Sequence, residues 1–367
     1  MIATEEKEKE GQENDNEGEE EEKRRKEKEK DPSTMEFLKM VMKFHHKIFT
    51  FHHACWERVW GSECMMGRCG AFEHTTTLSS MHFTHCTPDT IPSHAALSGS
   101  TLQIYSIQIK ELNGNLNWPL KVYGVVVARD TVDRNRNILF SRTKRNHQLL
   151  TEKDPFLHLT GPSRAILAVD PVDFEVELKI NKGLEFRERV LISLHGRYYA
   201  TDNTSLFLRG PECTAELSIE RLATPLQATI VGARVVEGGW PFKHGCRVVC
   251  SSFAAAAEAT PREVVLLDYH GKRMRVGWDG YLHLSRNVIS VELQGTRRVV
   301  IQAYSESGHQ AQQGHVDFPA QRCQTRKGEC FIGNSKLEIV VAWSLLVKEK
   351  LDLLVDCPAV ERSVVPP

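Results

Sequence analysis

The 367-residue chain contains no uninterrupted run of eighteen apolar residues, so no membrane-spanning helix is expected. Its opening, Met1-Ile2-Ala3-Thr4 followed by Glu5-Glu6-Lys7-Glu8, has neither the apolar core of a secretory signal nor the acid-poor composition of a transit peptide. Cysteine is scarce: ten residues, about 3% of the chain, fall short of a disulfide scaffold. Without a secretion signal the thiols are expected to be reduced, which places the chain in the cytoplasm or nucleus. A Gly-rich phosphate loop, a nucleophile elbow and a His-Glu-x-x-His pair are all missing. No catalytic residue and no cofactor are therefore expected, and the chain does not read as an enzyme.

An excess of one charge is also lacking, with 47 basic against 48 acidic residues. The balance is uneven along the chain. Residues 1–31 hold 14 acidic and 8 basic side chains and no aromatic. Such a segment has too little apolar surface to offset its ordering entropy, and it reads as a disordered charged tail. Within it, Lys23-Arg24-Arg25-Lys26 has the composition of a nuclear-import cluster, or of a plain solvated charge run. The body beyond residue 31 is left mildly basic, short of the concentrated field that nucleic-acid binding displays.

Ser33-Thr34-Met35-Glu36 has the form of a capping box. No Gly or Pro follows until Gly61, and apolar residues recur at helical spacing, so residues 32–61 read as a helix, whole or broken near His45-His46. Residues 62–100 read as a loop-rich connector containing Cys and His. From Leu102 the period changes to two, with short alternating runs separated by Asn113-Gly114, His270-Gly271, Asp279-Gly280 and Gln294-Gly295. This is the pattern of an all-β sandwich or barrel. The stretch 254–259 reads as a loop or a single turn.

Four landmarks recur in order. Leu102-Gln103 leads to Trp118-Pro119, and Leu226-Gln227 leads to Trp240-Pro241. The segment around His158 then matches that around His283, and the strand of Phe174 matches that of Val299. The offset stays between 122 and 125 residues. The fold class is therefore all-β: two tandem antiparallel β-sandwich-like domains related by internal duplication, preceded by the helix and the tail. The first domain is expected at 101–212, the second at 213–347 and a C-terminal tail at 348–367. Trp118 and Trp240 should each open a core strand, the following proline excluding a ladder donor there.

The runs Trp118-Pro119-Leu120-Lys121-Val122-Tyr123-Gly124, Leu159-Thr160-Gly161-Pro162-Ser163-Arg164-Ala165, Asp170-Pro171-Val172-Asp173-Phe174-Glu175 and Val341-Ala342-Trp343-Ser344 resemble the plant, grass-expanded domain-of-unknown-function family 6598. The resemblance covers about 102–344, with a preamble around 75–88. It implies no catalytic residues, since none are established for that family. It also implies a functional link to ribosome-inactivating N-glycosidases as an accessory domain. No segment resembles that enzyme's catalytic helix, so the activity itself is not implied.

Several residues are candidates for chemistry, each with a plainer reading. Cys64, Cys69, His82, His85 and Cys86 offer the ligand types of a zinc site, but without any Cys-x-x-Cys pair they read equally as scattered side chains. Asp130 and Asp133 follow one strand, and Asp170 and Asp173 precede another. Together they are the oxygen ligands of a candidate calcium-dependent membrane-binding sandwich. Arg129, Arg134 and Arg136 interleave the first pair, so Asp130 or Asp133 is expected to bond Arg134, Arg136 or nearby backbone amides instead. Cys246 and Cys250 share a strand face and read as core. Cys323 and Cys330 flank Arg326-Lys327-Gly328, a basic setting that favours a lowered thiol pKa. His158 and His283, between leucines, read as duplicated strand residues. Arg134, Arg136, Arg142, Lys144 and Arg145 make a basic hairpin short of aromatic partners, which reads as a guarded edge rather than a nucleic-acid platform. The chain thus reads as a non-enzymatic binding or scaffold module with a protein partner.

Overall fold

The computed structural model describes residues 32–348, apart from 62–68, 88–89, 92–95, 98, 114–115, 182–188, 200–202, 254–261, 272–273, 275 and 278. The tail 1–31 with its import cluster, Cys64, the stretch 254–259 and all but the first residue of the C-terminal tail lie outside the described residues. One helix, α1 (Pro32–Trp60), runs without a break through His45-His46. It stops where Gly61 returns its amide to the carbonyls of Trp56 and Glu57. A short strand β1 (Ala96–Leu97) follows the connector.

The first sandwich comprises β2 (Thr101–Leu112), β3 (Leu120–Arg129), β4 (Asn137–Arg142), β5 (Gln148–Leu150), β6 (Ile166–Leu167), β7 (Val172–Ile180), β8 (Arg189–Tyr198), β9 (Ser205–Arg209) and β10 (Cys213–Leu222). The second comprises β11 (Pro225–Glu237), β12 (Gly245–Phe253), β13 (Glu263–His270), β14 (Val288–Glu292), β15 (Thr296–Tyr304), β16 (Gln310–Pro319), β17 (Thr325–Ile332) and β18 (Ser335–Ser344), and β19 (Leu346–Val347) closes the chain onto β1. The sheet orders are β6-β2-β10-β9 and β4-β3-β7-β8 in the first sandwich, with β5 also on β3. In the second they are β14-β11-β18-β17 and β13-β12-β15-β16. Element by element these are the same two sheets, and every pairing is antiparallel. The strands that follow Trp118 and Trp240, β3 and β12, hold the same place in their sheets.

Alternation produces the core. On β7, Phe174, Val176 and Leu178 are buried between the sheets, while Asp173, Glu175 and Glu177 take the other face. Burying a large apolar side chain in this way is worth roughly 1.5–3 kcal/mol, and each sandwich has its own contiguous cluster of such residues.

Three expectations need correction. Strand β10 pairs with β2 and β9, so 213–222 belongs to the first half, and the halves divide at 223–224. A sandwich of this topology closes by returning its last strand beside its first, which places β10 where sequence alternation alone could not. Trp240 is 39% exposed, whereas Trp118 packs against the first core. The second core takes Phe242 instead, with Trp240 edge-to-face upon it. His158 and His283 stand outside the named strands, exposed on extended segments whose leucines 157, 159 and 282 point inward.

The connector straps the two halves. Thr76 bonds Arg136 through the backbone, the Phe83 amide donates to Ser344 Oγ, and the Gln324 amide donates to the Thr84 carbonyl. Leu78, Phe83 and Cys86 share a small apolar cluster with Val132 and Leu167 of the first sandwich and with Cys323 and Leu346 near the C-terminus.

Candidate functional site

The turn after β3 carries Asp130 and Asp133, both at most 3% exposed, and the chain before β6 carries Arg164, 4% exposed. Arg164 binds Asp130 in a two-pronged pair at 2.6 and 2.7 Å and reaches Asp133 at 2.9 Å. Its remaining donors meet the Ala165 carbonyl and Thr76 Oγ1, so all five guanidinium N–H groups are engaged. Asp130 also accepts the amides of Val132 and Leu167; Asp133 accepts the Asn135 amide and the Thr76 hydroxyl. Burial opposes the guanidinium charge, but the two carboxylates outweigh it and raise the Arg164 pKa. The expected backbone amides are there, but the arginine is neither Arg134 nor Arg136. Arg164 lies 34 residues from Asp130, within a run that carried only the family resemblance, and no spacing rule connects the two.

Asp170 and Asp173 do not join this cluster. Asp170 is exposed. Asp173 accepts from Arg197, directly opposite it on β8, at 2.6 Å and from His195, the partner of Glu175 two residues along, at 3.0 Å. Burial would raise its pKa, yet those two partners hold it at about 2.

A second charged network fixes α1 to the outer face of β3, β7 and β8. Its centre is Glu175, fully buried beneath the helix. Glu175 receives Arg129 at 2.5 Å, Arg136 at 3.0 Å and His52 of α1 at 3.2 Å. Burial opposes its ionisation, but these three partners hold its pKa at about 2. His52 stacks on His195 with ring centroids 3.8 Å apart. Phe72 of the connector sits among Phe49, His52, His53 and Trp56, with the guanidinium of Arg129 4.2 Å from its ring centroid. The basic hairpin is thereby partly consumed: Arg136 is paired, and Arg134 lies over the Trp60 ring. Glu175 and His52 carried no signal in sequence, because a glutamate on an outward strand position reads as solvated until something covers it.

The zinc candidates separate. Cys64 lies outside the described residues, Cys69 is buried beside α1, and His85 is exposed. Burial lowers the His82 pKa. Cys86 is disulfide-bonded, contrary to the expectation of reduced thiols throughout, whereas Cys55, Cys213, Cys246, Cys250, Cys323 and Cys330 are free. Among the described residues no three His, Cys, Asp or Glu side chains are placed to hold a metal ion. Cys246 and Cys250 are core residues, as their spacing suggests, and burial pushes both thiols up to about 12. Cys323 and Cys330 are buried as well, and desolvation raises their pKa values despite the nearby basic residues.

No curated protein matches the chain. Among solved structures it is similar to the paired C2 domains, A and B, of Extended-Synaptotagmin 2, at 11% identity over 70% of this chain and 95% of that one, with a TM-score of 0.23. It is also similar to human GIVD cytosolic phospholipase A2, at 8% identity over 68% of this chain and 33% of that one, with a TM-score of 0.21. No helix among the described residues is long and apolar enough to cross a membrane. The family model described as "Domain of unknown function (DUF6598)" matches residues 101–341, about two thirds of the sequence, and the chain belongs to that family.

Proposed function

We propose that the chain is a non-enzymatic binding or scaffold module, with protein as its class of partner. One observation carries this over the calcium-dependent alternative: Arg164 already fills the position a cation would need between Asp130 and Asp133. Calcium requires six to eight oxygens with free lone pairs, and here those oxygens are taken by a guanidinium, three amides and a hydroxyl. The buried, protonated thiols speak against nucleophilic catalysis. Engagement of Arg134 and Arg136 by groups of the chain itself favours protein over nucleic acid as partner.

Support for a scaffold also comes from how the halves meet. Leu102 faces Ile166 across β2 and β6, and Leu226 faces Val291 across β11 and β14. Residues 165 and 290 are therefore counterparts. The side chain of Gln103 accepts the Ser290 amide at 2.8 Å, and that of Gln227 accepts the Ala165 amide at 3.1 Å. Each half thus reaches the same place in the other, as in a two-fold symmetric dimer.

Calorimetric titration of the full chain with calcium tests the reading. No saturable heat is expected. Heat that saturates at micromolar calcium and disappears in an Asp130→Asn, Asp133→Asn double variant would overturn it in favour of the calcium module.

A further inference from the structure

Helix α1 docks through a mixed aromatic and histidine face and leaves a second, apolar face open. Phe49, His52, His53, Trp56 and Trp60 turn toward Phe72, Glu175 and Arg134. About 120° around the axis, Phe37, Met40, Phe44, Ile48, Phe51 and Val59 recur at steps of three, four or eight residues, which keep them on one side. Their exposures are 58, 59, 60, 40, 71 and 46%. A run of large side chains this open marks an interaction surface rather than scattered surface residues.

The flank of this stripe is basic. Lys43, Lys47 and Arg58 are exposed along it, with Glu36 the one exposed acid near its start. Directly before the helix, residues 23–30 hold six Lys or Arg and two Glu. An apolar stripe edged by cations and preceded by a polybasic run is the chemistry that binds an anionic lipid surface. A second copy of the chain fits less well. An antiparallel pair would bring the same flanks together, Lys47 beside Lys47, and a parallel pair would set one helix's flank against the other's docked sandwich. Residues 1–22 offer no apolar run to match the stripe, being polar or charged beyond Met1, Ile2 and Ala3 apart from glycine.

We infer that α1 lies in the headgroup region of an anionic membrane, its Phe37–Val59 stripe in the acyl boundary and Lys43, Lys47 and Arg58 on the lipid phosphates. The sandwiches are held against that surface through the Glu175 network. The contact needs no calcium and is separate from the closed aspartate turn, so it stands or falls independently of the reading above.

Flotation of the full chain with vesicles in the presence of a calcium chelator tests it. Binding is expected to vesicles of phosphatidylcholine with about 30% phosphatidylserine and not to phosphatidylcholine alone. Phe44→Glu with Phe51→Glu should reduce the bound fraction about tenfold or more, and Lys43→Glu with Lys47→Glu should also lower it. Phe44→Leu with Phe51→Leu should retain binding. Because these side chains are exposed, the melting temperature of each variant should match the parent, separating lost binding from lost folding. Absence of binding to the anionic vesicles, or binding unchanged by the glutamate pair, overturns the proposal. A dimer in solution that the glutamate pair dissolves overturns it too, and assigns the stripe to a second copy.

Discussion

At the scale of single residues, Arg164 does what composition could not reveal. Its guanidinium neutralises buried charge contributed by a turn 34 residues earlier, and its replacement by an apolar residue leaves two buried carboxylates without a counter-charge. Arg164→Met should therefore destabilise the first sandwich by about 3–5 kcal/mol, measurable by urea unfolding. A change below about 1 kcal/mol would mean that water reaches the turn. The aspartates themselves were legible as loop residues that bond their own backbone two positions on, and they do so with Val132 and Asn135. Their arginine was not, because a long-range ion pair leaves no periodic trace. The cysteines of β12 were legible through their even spacing. Cys246 and Cys250 should resist alkylation at neutral pH until the chain unfolds, since a thiol with a pKa of about 12 has almost no thiolate. Rapid labelling of the native protein at either would contradict their burial.

At the scale of elements, α1 is held by charge as much as by apolar contact. Glu175 and Asp173 titrate from ordinary values of 4.5 and 3.8 down to about 2 in the folded chain. Depressed pKa values mean that their stabilisation is complete above about pH 4.5 and is lost as the pH falls toward 2. Trp56, buried on the docked face of α1, should report this as a change in fluorescence over that window. Glu175→Gln should shift the helix toward its released state already at neutral pH, leaving Arg129 buried without its carboxylate. A helix that stays docked through about pH 2 would contradict the electrostatic role. Sequence pattern located α1 through the run free of Gly and Pro that ends at Gly61, but the helix begins at Pro32, so Ser33 and Thr34 lie inside it rather than capping it. Which face docks was not legible: the strongest apolar line, Phe37 to Val59, is the one left open, and the docked face is built of histidine and tryptophan that read as polar or mixed. The strand β10 was visible, but its place beside β2 depends on closure of the sheet.

At the scale of the whole molecule, duplication was the most legible feature, since each copy kept a Leu-Gln start, a Trp-Pro entry and a histidine between leucines. Four landmarks suffice because a sandwich repeats its strand order and not its side chains; Trp240 shows how far the side chains drift, its core role passing to Phe242. How the halves join was hidden, for Gln103 and Gln227 look like ordinary polar residues of alternating strands until the two sheets meet. Arg286 adds to that joint by donating to the carbonyls of Ile104 and Tyr105, and burial lowers its pKa to about 10. The scaffold reading turns on this joint being rigid. Differential scanning calorimetry of the full chain measures it most directly. One endotherm is expected, with calorimetric and van't Hoff enthalpies agreeing, and Gln103→Ala with Gln227→Ala should split it into two. Two resolved endotherms in the unmodified chain would show sandwiches that fold independently, and would contradict a single rigid scaffold.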